Sequence, residues 1–170
     1  MPIMNLCDDA RKVQARKDQE DPWIMYLIVR ESLNMTSGKI AAQVGHAVGI
    51  IDAYYMSFVA EIDMLYISAI SEDIFSAKIE NCISPIEKER LENFLLPKTE
   101  SFEQWKNNSF RKIVLRADNK EWEKAKRQLD CYLVVDAGLT QIESGSETVI
   151  GLWPMLKSSA PPFVKRLRLL

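Results

Sequence analysis

Two short segments, far apart in the chain, carry the side chains best suited to chemistry. In the first, Lys39, Gln43 and His46 are spaced i, i+4 and i+7, which places them on one face of a predicted helix. In the second, Asp136 follows the apolar run 131–135 and comes just before Gly138. Because open α/β sheets bind ligands at strand ends, a carboxylate there is a candidate site residue. An ammonium, an amide, an imidazole and a carboxylate together suit hydrolysis or binding of a polar substrate.

Each of these residues also has a plain structural interpretation. An aspartate before a glycine is often a turn residue. Lys39 follows Gly38 at the start of a helix, where lysines are commonly exposed, and a single helix histidine is often structural. Taken one at a time, the residues leave both interpretations open.

Taken together, the two segments resemble the peptidyl-tRNA hydrolases of the archaeal and eukaryotic type. The resemblance extends to Tyr26 to Arg30 as a first strand, to residues 145–151 as a turn and last core strand, and to the terminal residues 166–170. There are two departures. Ser37 stands where the family often has a lysine, and Trp153 stands where a glycine is common.

The resemblance implies hydrolysis by water of the ester bond between a peptide and the 3′ end of tRNA, with no metal and no other cofactor. The four implied catalytic residues are Lys39, Asp136, Thr140 and Thr148. Asp136 would orient or deprotonate the water, and Lys39 would stabilise the oxyanion or hold the ribose or terminal phosphate. The implied substrate-binding residues are Gln43, His46, Arg111, Lys112 and Gln141.

Peptidyl-tRNA is therefore the expected partner, and a homodimer is left open. The alternative is a binding module for RNA or protein that has the same fold and has lost turnover. The presence of all four implied catalytic residues favours the enzyme, because a decayed site would be expected to lack at least one of them.

Composition limits the other classes of function. The chain has 170 residues, of which 47% are hydrophobic, enough for one core and one domain. The three cysteines lack ligand spacing and the chain has one histidine, so we expect no disulfide framework and no zinc site. Ile40 follows Gly38-Lys39 where a phosphate-binding loop needs serine or threonine. No apolar run reaches membrane-spanning length, so the prediction is a cytoplasmic protein without membrane association.

Charge is distributed unevenly along the chain. Residues 56–100 hold nine acidic and four basic side chains, whereas residues 101–170 hold twelve basic and eight acidic ones. We therefore expect the tRNA to approach the second segment, through Arg111 and Lys112, while the acidic segment faces away.

The predicted elements form one α/β domain over 23–170, with residues 1–22 as a mobile N-terminal extension and an insert at about 59–104. Strands are predicted at 23–30, 111–117 and 131–135. The resemblance places a turn and the last core strand within residues 145–151. Helices are predicted from Thr36 or Ser37 to about 58, after Ser84-Pro85 until Pro97, and from the capping pair Asp118 and Glu121 through 129. Gly45 and Gly49 inside the first helix predict a close approach to the sheet. The expected fold is a three-layer or two-layer sandwich with a sheet of about four strands flanked by helices, and the resemblance implies that this sheet is mixed.

Overall fold

The computed structural model describes residues 20–73 and 83–170. In chain order the strands and α-helices are β1 (Trp23–Arg30), α1 (Ser37–Asp73), α2 (Pro85–Arg90), α3 (Leu96–Gln104), β2 (Arg111–Ala117), α4 (Asn119–Gln128), β3 (Cys131–Val135), β4 (Glu147–Leu152), β5 (Met155–Leu156) and β6 (Arg168–Leu169). None of the helices in these two ranges is both long enough and apolar enough to cross a membrane.

The strands form one mixed, open sheet in the order β3-β4-β1-β2-β6, with β5 paired to β1. β1 is parallel to β2 and antiparallel to β4, and β4 is antiparallel to β3. The mixed α/β architecture is confirmed, but the sheet has six strands where about four were expected. The two additional strands, β5 and β6, have two residues each, too few to show an alternating pattern.

Helices cover both faces of this sheet. Successive side chains of β1 point to opposite faces, so Met25, Leu27 and Val29 pack in a cluster with α1. The alternate residues, such as Tyr26 and Ile28, pack with α4 and the C-terminal segment. The apolar run of β1 is therefore that of a central strand buried on both sides, and the sandwich has three layers.

Helix α1 begins as predicted but ends much later. The Thr36 hydroxyl accepts a hydrogen bond from the Lys39 N–H at 3.4 Å and so caps the first turn. The helix then continues to Asp73 instead of ending near Phe58, because Ile62 and Leu65 continue the apolar side that packs on the core.

The predicted close approach at Gly45 and Gly49 is wrong. A Cβ at either position would have no atom within 4 Å, because both glycines lie on the exposed side of α1. The close approach is instead on the sheet side. A Cβ at Gly151 of β4 would lie 2.8 Å from Ile51 Cδ1 of α1, so it is a sheet glycine that brings the two layers together.

Pro97 does not end the helix that follows Ser84. A capping box between Ser84 and Glu87 begins α2 as expected, and a wide π-helical turn, Leu91–Leu95, leads directly into α3. In that turn the Leu96 N–H donates to the Leu91 carbonyl, one residue further back than in an α-helix. The wider turn accommodates a proline that cannot donate and would crowd the preceding turn.

The described part of the predicted insert belongs to the main core. Leu91, Leu95 and Phe102 lie in the same apolar cluster as Met25 of β1. Trp153, one of the two departures from the family pattern, donates its indole N–H to the Lys98 carbonyl at 3.0 Å. That tryptophan therefore attaches α3 to the sheet.

The remaining boundaries agree closely with expectation. β2 spans the predicted residues, and the Asp118–Glu121 capping box begins α4, which ends at Gln128, one residue early. Of the predicted N-terminal extension, residues 1–19 lie outside the described ranges. Asp21, at its end, accepts hydrogen bonds from the N–H and hydroxyl of Ser158 at 2.7 and 2.6 Å.

Candidate active site

The topology brings the two chemical segments to one edge of the sheet. β3 runs in the same direction as β1, because both are antiparallel to β4. The chain leaves the carboxyl end of β1 and enters α1, so the first turn of α1 lies at the edge where β3 also ends. Lys39 in that turn and Asp136 just after β3 consequently meet, although 97 positions separate them.

Asp136 is the centre of the site. Its Oδ2 accepts hydrogen bonds from Lys39 Nζ and, at 2.6 Å, from Gln43 Nε2. Its Oδ1 accepts one from the Gly138 N–H at 2.7 Å. The side chain is 5% exposed. The Lys39 ammonium first, and the Gly138 N–H second, hold the pKa of Asp136 below its usual value despite the desolvation.

A tight loop after β3 holds this geometry. Gly138 has φ +77°, and a Cβ there would lie 2.5 Å from the Ser144 backbone nitrogen, so another residue would not fit. The Asp136 N–H donates to Ser146 O at 2.9 Å, and Asp136 O accepts from the Gly145 N–H at 2.8 Å. The loop thus folds back on the start of β4.

The same loop carries Thr140 and Gln141 towards α1. Thr140 Oγ1 accepts a hydrogen bond from Lys39 Nζ at 2.8 Å. Gln141 Oε1 accepts one from the Thr36 hydroxyl at 2.8 Å, which attaches the loop to the cap of α1. The sequence indicated Thr36 only as a helix cap. Its contact with Gln141 could not be predicted from a local pattern, because 105 positions separate the two residues in the chain.

Thr148 lies beneath the site, not on its surface. It is 0% exposed, and its hydroxyl donates to Gln43 Oε1 at 2.8 Å, with a longer contact to the Val134 carbonyl at 3.2 Å. Gln43, itself 3% exposed, thus connects Thr148 to Asp136. The Gln43 amide is more central than the sequence suggested, because one of its partners follows β3 and the other lies in β4.

A cavity of about 740 Å³ opens above these groups between α1 and the end of β3. His46 borders it from α1, and Val135, Leu139 and Ile50 supply apolar walls. The full lining is Thr36, Gly38, Lys39, Ala42, Gln43, His46, Ile50, Val134, Val135, Asp136, Ala137, Leu139, Thr140 and Gln141. The exposed Leu139 and the apolar end of the cavity were not predicted.

Arg111 and Lys112 lie at the other end of the sheet. Arg111 is paired with Ile24 at the start of β1, whereas the site is near the end of that strand, roughly 20 Å away at 3.3 Å per residue. Lys112 Nζ lies 3.4 Å from the centre of the Phe110 ring, and burial lowers its pKa. Neither residue lines the cavity.

Metal-ligating side chains are sparse around the site. Across residues 20–73 and 83–170, no three histidine, cysteine, aspartate or glutamate side chains converge as a metal site would require.

Comparison with known proteins identifies the family to which the chain is similar. Residues 23–170 match the model of the family Peptidyl-tRNA hydrolase PTH2, a range that includes β1, the predicted insert and the whole site. An archaeal relative, the "Peptidyl-tRNA hydrolase" of Thermoplasma acidophilum, is 31% identical over 136 residues, which cover 76% of this chain and 83% of the relative.

Two eukaryotic relatives are longer. The "Probable peptidyl-tRNA hydrolase 2" of Drosophila melanogaster is 28% identical over 156 residues, covering 88% of this chain and 63% of the relative. The protein of the same name from Dictyostelium discoideum is 42% identical over 72 residues, covering 39% of this chain and 34% of the relative. The chain therefore matches less than two thirds of the length of either of these proteins.

Proposed function

Because the chain belongs to the peptidyl-tRNA hydrolase PTH2 family, we propose that it hydrolyses the ester bond that joins a peptide to the 3′ end of a tRNA. The observation that carries the proposal is the hydrogen-bonded group of Lys39, Gln43, Asp136 and Thr140 at the mouth of one cavity. A carboxylate, a cation and a hydroxyl within a few ångströms of each other suit attack of water on an ester.

Asp136 orients the attacking water. A carboxylate offers about four lone-pair positions, and the side chain of Asp136 uses three of them for Lys39, Gln43 and Gly138. The remaining position, on Oδ1, can accept a hydrogen bond from water. Because its pKa is lowered, Asp136 is a weak proton acceptor, so orientation of the water is favoured over its full deprotonation. As the water oxygen bonds to the ester carbonyl carbon, the bond to the ribose 3′ oxygen breaks and that oxygen takes one proton of the water, which leaves a free peptide carboxyl group and a tRNA 3′ hydroxyl.

Lys39 and Thr140 stabilise the oxyanion that develops on the ester carbonyl oxygen. The Thr140 oxygen already accepts a hydrogen bond from the Lys39 ammonium, so its own O–H is directed elsewhere and can donate to the carbonyl oxygen. A cation and a hydroxyl already in place need little rearrangement during the reaction.

Gln43 and Thr148 hold Asp136 in place. The enclosed hydroxyl of Thr148 donates to the Gln43 oxygen, which leaves the Gln43 nitrogen directed at Asp136. We therefore assign Thr148 a positioning role, since it does not line the cavity where the substrate would bind. His46 and Gln141 border the cavity and are proposed to contact the tRNA 3′ end.

The tRNA body is the proposed partner of a second, more distant surface. Arg111 is proposed to contact a tRNA phosphate, which requires the tRNA to span the roughly 20 Å from the site along β2. Lys112 is a weaker candidate, because its ammonium is packed against Trp105 and Phe110. Action in the cytoplasm is an expectation that accompanies this role in translation.

Release of free tRNA from labelled peptidyl-tRNA tests the proposal. We expect the wild-type protein to release it, with and without a chelator, and the Lys39→Met variant to lose most of that activity. Binding of peptidyl-tRNA without release would contradict the enzyme and favour the binding module. Loss of tRNA release when the chelator is added would contradict a metal-independent reaction.

A further inference from the structure

The edge strand β3 leads directly into the candidate site. Among the strands that the structure describes, β3 pairs with β4 alone, so its other edge presents backbone N–H and C=O groups without a strand partner. Residues 131–133 are partly exposed and Val135 is 55% exposed. The last residue of this edge is adjacent to Asp136, where the ester would react.

We propose that the peptide of the substrate binds along this free edge of β3 as an additional strand. The inference rests on the proposed function and identifies how the peptide is recognised. Main-chain hydrogen bonds to a sheet edge do not depend on side chains, which suits a substrate whose peptide can have any sequence.

The site fixes the direction of that strand. The esterified residue is the C-terminal residue of the peptide, and its carbonyl must lie near Lys39 and Asp136, at the carboxyl end of β3. The rest of the peptide then extends back towards Cys131, so that the peptide and β3 run parallel.

The length of β3 agrees with the length of the helix side of the cavity, which β3 itself lines with Val134 and Val135. The five residues of β3 are about 16 Å long at 3.3 Å per residue. On α1, the cavity residues from Lys39 to Ile50 also span about 16 Å at 1.5 Å per residue. Each of these lengths corresponds to about five extended residues. Ala42 and Ile50 on the helix side offer apolar contact without selecting one side chain.

The backbone hydrogen bonds at the end of β3 indicate which residue directs its N–H and C=O towards the free edge. Asp136 directs both its N–H and its C=O towards residues 145 and 146 beside β4. Because successive residues of a strand alternate in direction, the N–H and C=O of Val135 point towards the free edge. Val135 also lines the cavity.

The test uses the wild-type enzyme with tRNA carrying N-acetylated peptides of one to about seven alanines, since about five residues should fit on β3. We expect kcat/KM to rise with length and to level off near five residues. N-methylation of single peptide nitrogens should lower kcat/KM about 3- to 10-fold at every second position and hardly at all between, because alternate N–H groups face β3.

Two variants test the enzyme side. Val135→Pro removes a backbone N–H from the free edge, so kcat/KM should no longer rise with peptide length. Val135→Ala keeps that N–H, so kcat/KM should still rise with peptide length. Thermal unfolding by circular dichroism checks that both variants fold, and the methylation series needs no variant at all.

The outcomes separate the two proposals. Equal kcat/KM for all lengths, or methylation effects without alternation, would overturn the assignment of the β3 edge and leave the hydrolase proposal intact. Failure to release tRNA from any member of the series would overturn both. A dimer in sedimentation that Val135→Pro dissociates, combined with a flat length dependence, would assign the edge to a second copy instead.

Discussion

Replacing Thr148 with valine should impair catalysis although Thr148 does not line the cavity. Valine has nearly the shape of threonine and removes only the hydroxyl. In the wild-type protein that hydroxyl donates to Gln43 Oε1 at 2.8 Å, and both residues are buried. The variant leaves the Gln43 oxygen enclosed without a donor.

The cost can be worked out from these contacts. A buried acceptor left unpaired costs about 1–3 kcal/mol of folding free energy. Rotating the Gln43 amide does not remove this cost. The Gln43 oxygen would then face the Asp136 carboxylate, in place of the Gln43 nitrogen that now donates to it at 2.6 Å. The amide must shift instead, and Asp136 loses part of its support. Since a displacement of about 1 Å can cost about 10²-fold, turnover should fall by up to that factor.

Thr148→Ser is the matched control. Serine keeps the hydroxyl and loses one methyl group from a fully buried position, which costs about 1 kcal/mol of stability. Urea unfolding should therefore show a loss of stability in both variants, whereas kcat for tRNA release should fall in the valine variant alone. Wild-type kcat in Thr148→Val, or an equal loss in Thr148→Ser, would refute the positioning role.

Three further predictions address the charge, the tRNA contact and the packing. Asp136→Asn should lower kcat by about 10²-fold or more, because an amide cannot accept from Lys39, Gln43 and Gly138 together. In the wild-type protein the lowered pKa keeps the carboxylate ionised until the pH falls below its ordinary 3.8, so a pH–rate profile that already declines near neutral pH would mean that a group other than Asp136 controls the rate. Arg111→Ala should reduce the slope of log K for tRNA against log salt by about 0.9 with kcat unchanged, and an unaltered slope would place the tRNA elsewhere. Gly151→Ala should cost about 1–3 kcal/mol in urea unfolding, partly recovered by Ile51→Val, because the new methyl lies 2.8 Å from Ile51 Cδ1.

Local patterns in the sequence were enough to predict most of the central elements. The apolar run of β1, the capping box of α4 and the strand before Asp136 appear in the structure within a residue or so of their expected bounds. Each depends on residues close together in the chain: a buried strand needs consecutive apolar residues, and a cap needs a side chain near its own backbone.

Local patterns failed where packing decides how far an element extends. Helix α1 continues past Phe58 because residues from other elements cover its later apolar positions. The helical segment continues through Pro97 because a wide turn accommodates the ring. The short strands β5 and β6 exist because β1 and β2 offer them an edge. In each case the stabilising partner is distant in sequence.

The candidate site was likewise predictable from the sequence only in part. The residue types and their spacing on α1 and after β3 indicated the chemistry, and the resemblance indicated which residues to combine. Only the tertiary structure decided that Thr148 lies beneath Gln43, that Thr36 contacts Gln141, and that Arg111 is remote from the cavity. The physical reason is that hydrogen bonds and burial act over a few ångströms in space, and these contacts join residues about a hundred positions apart.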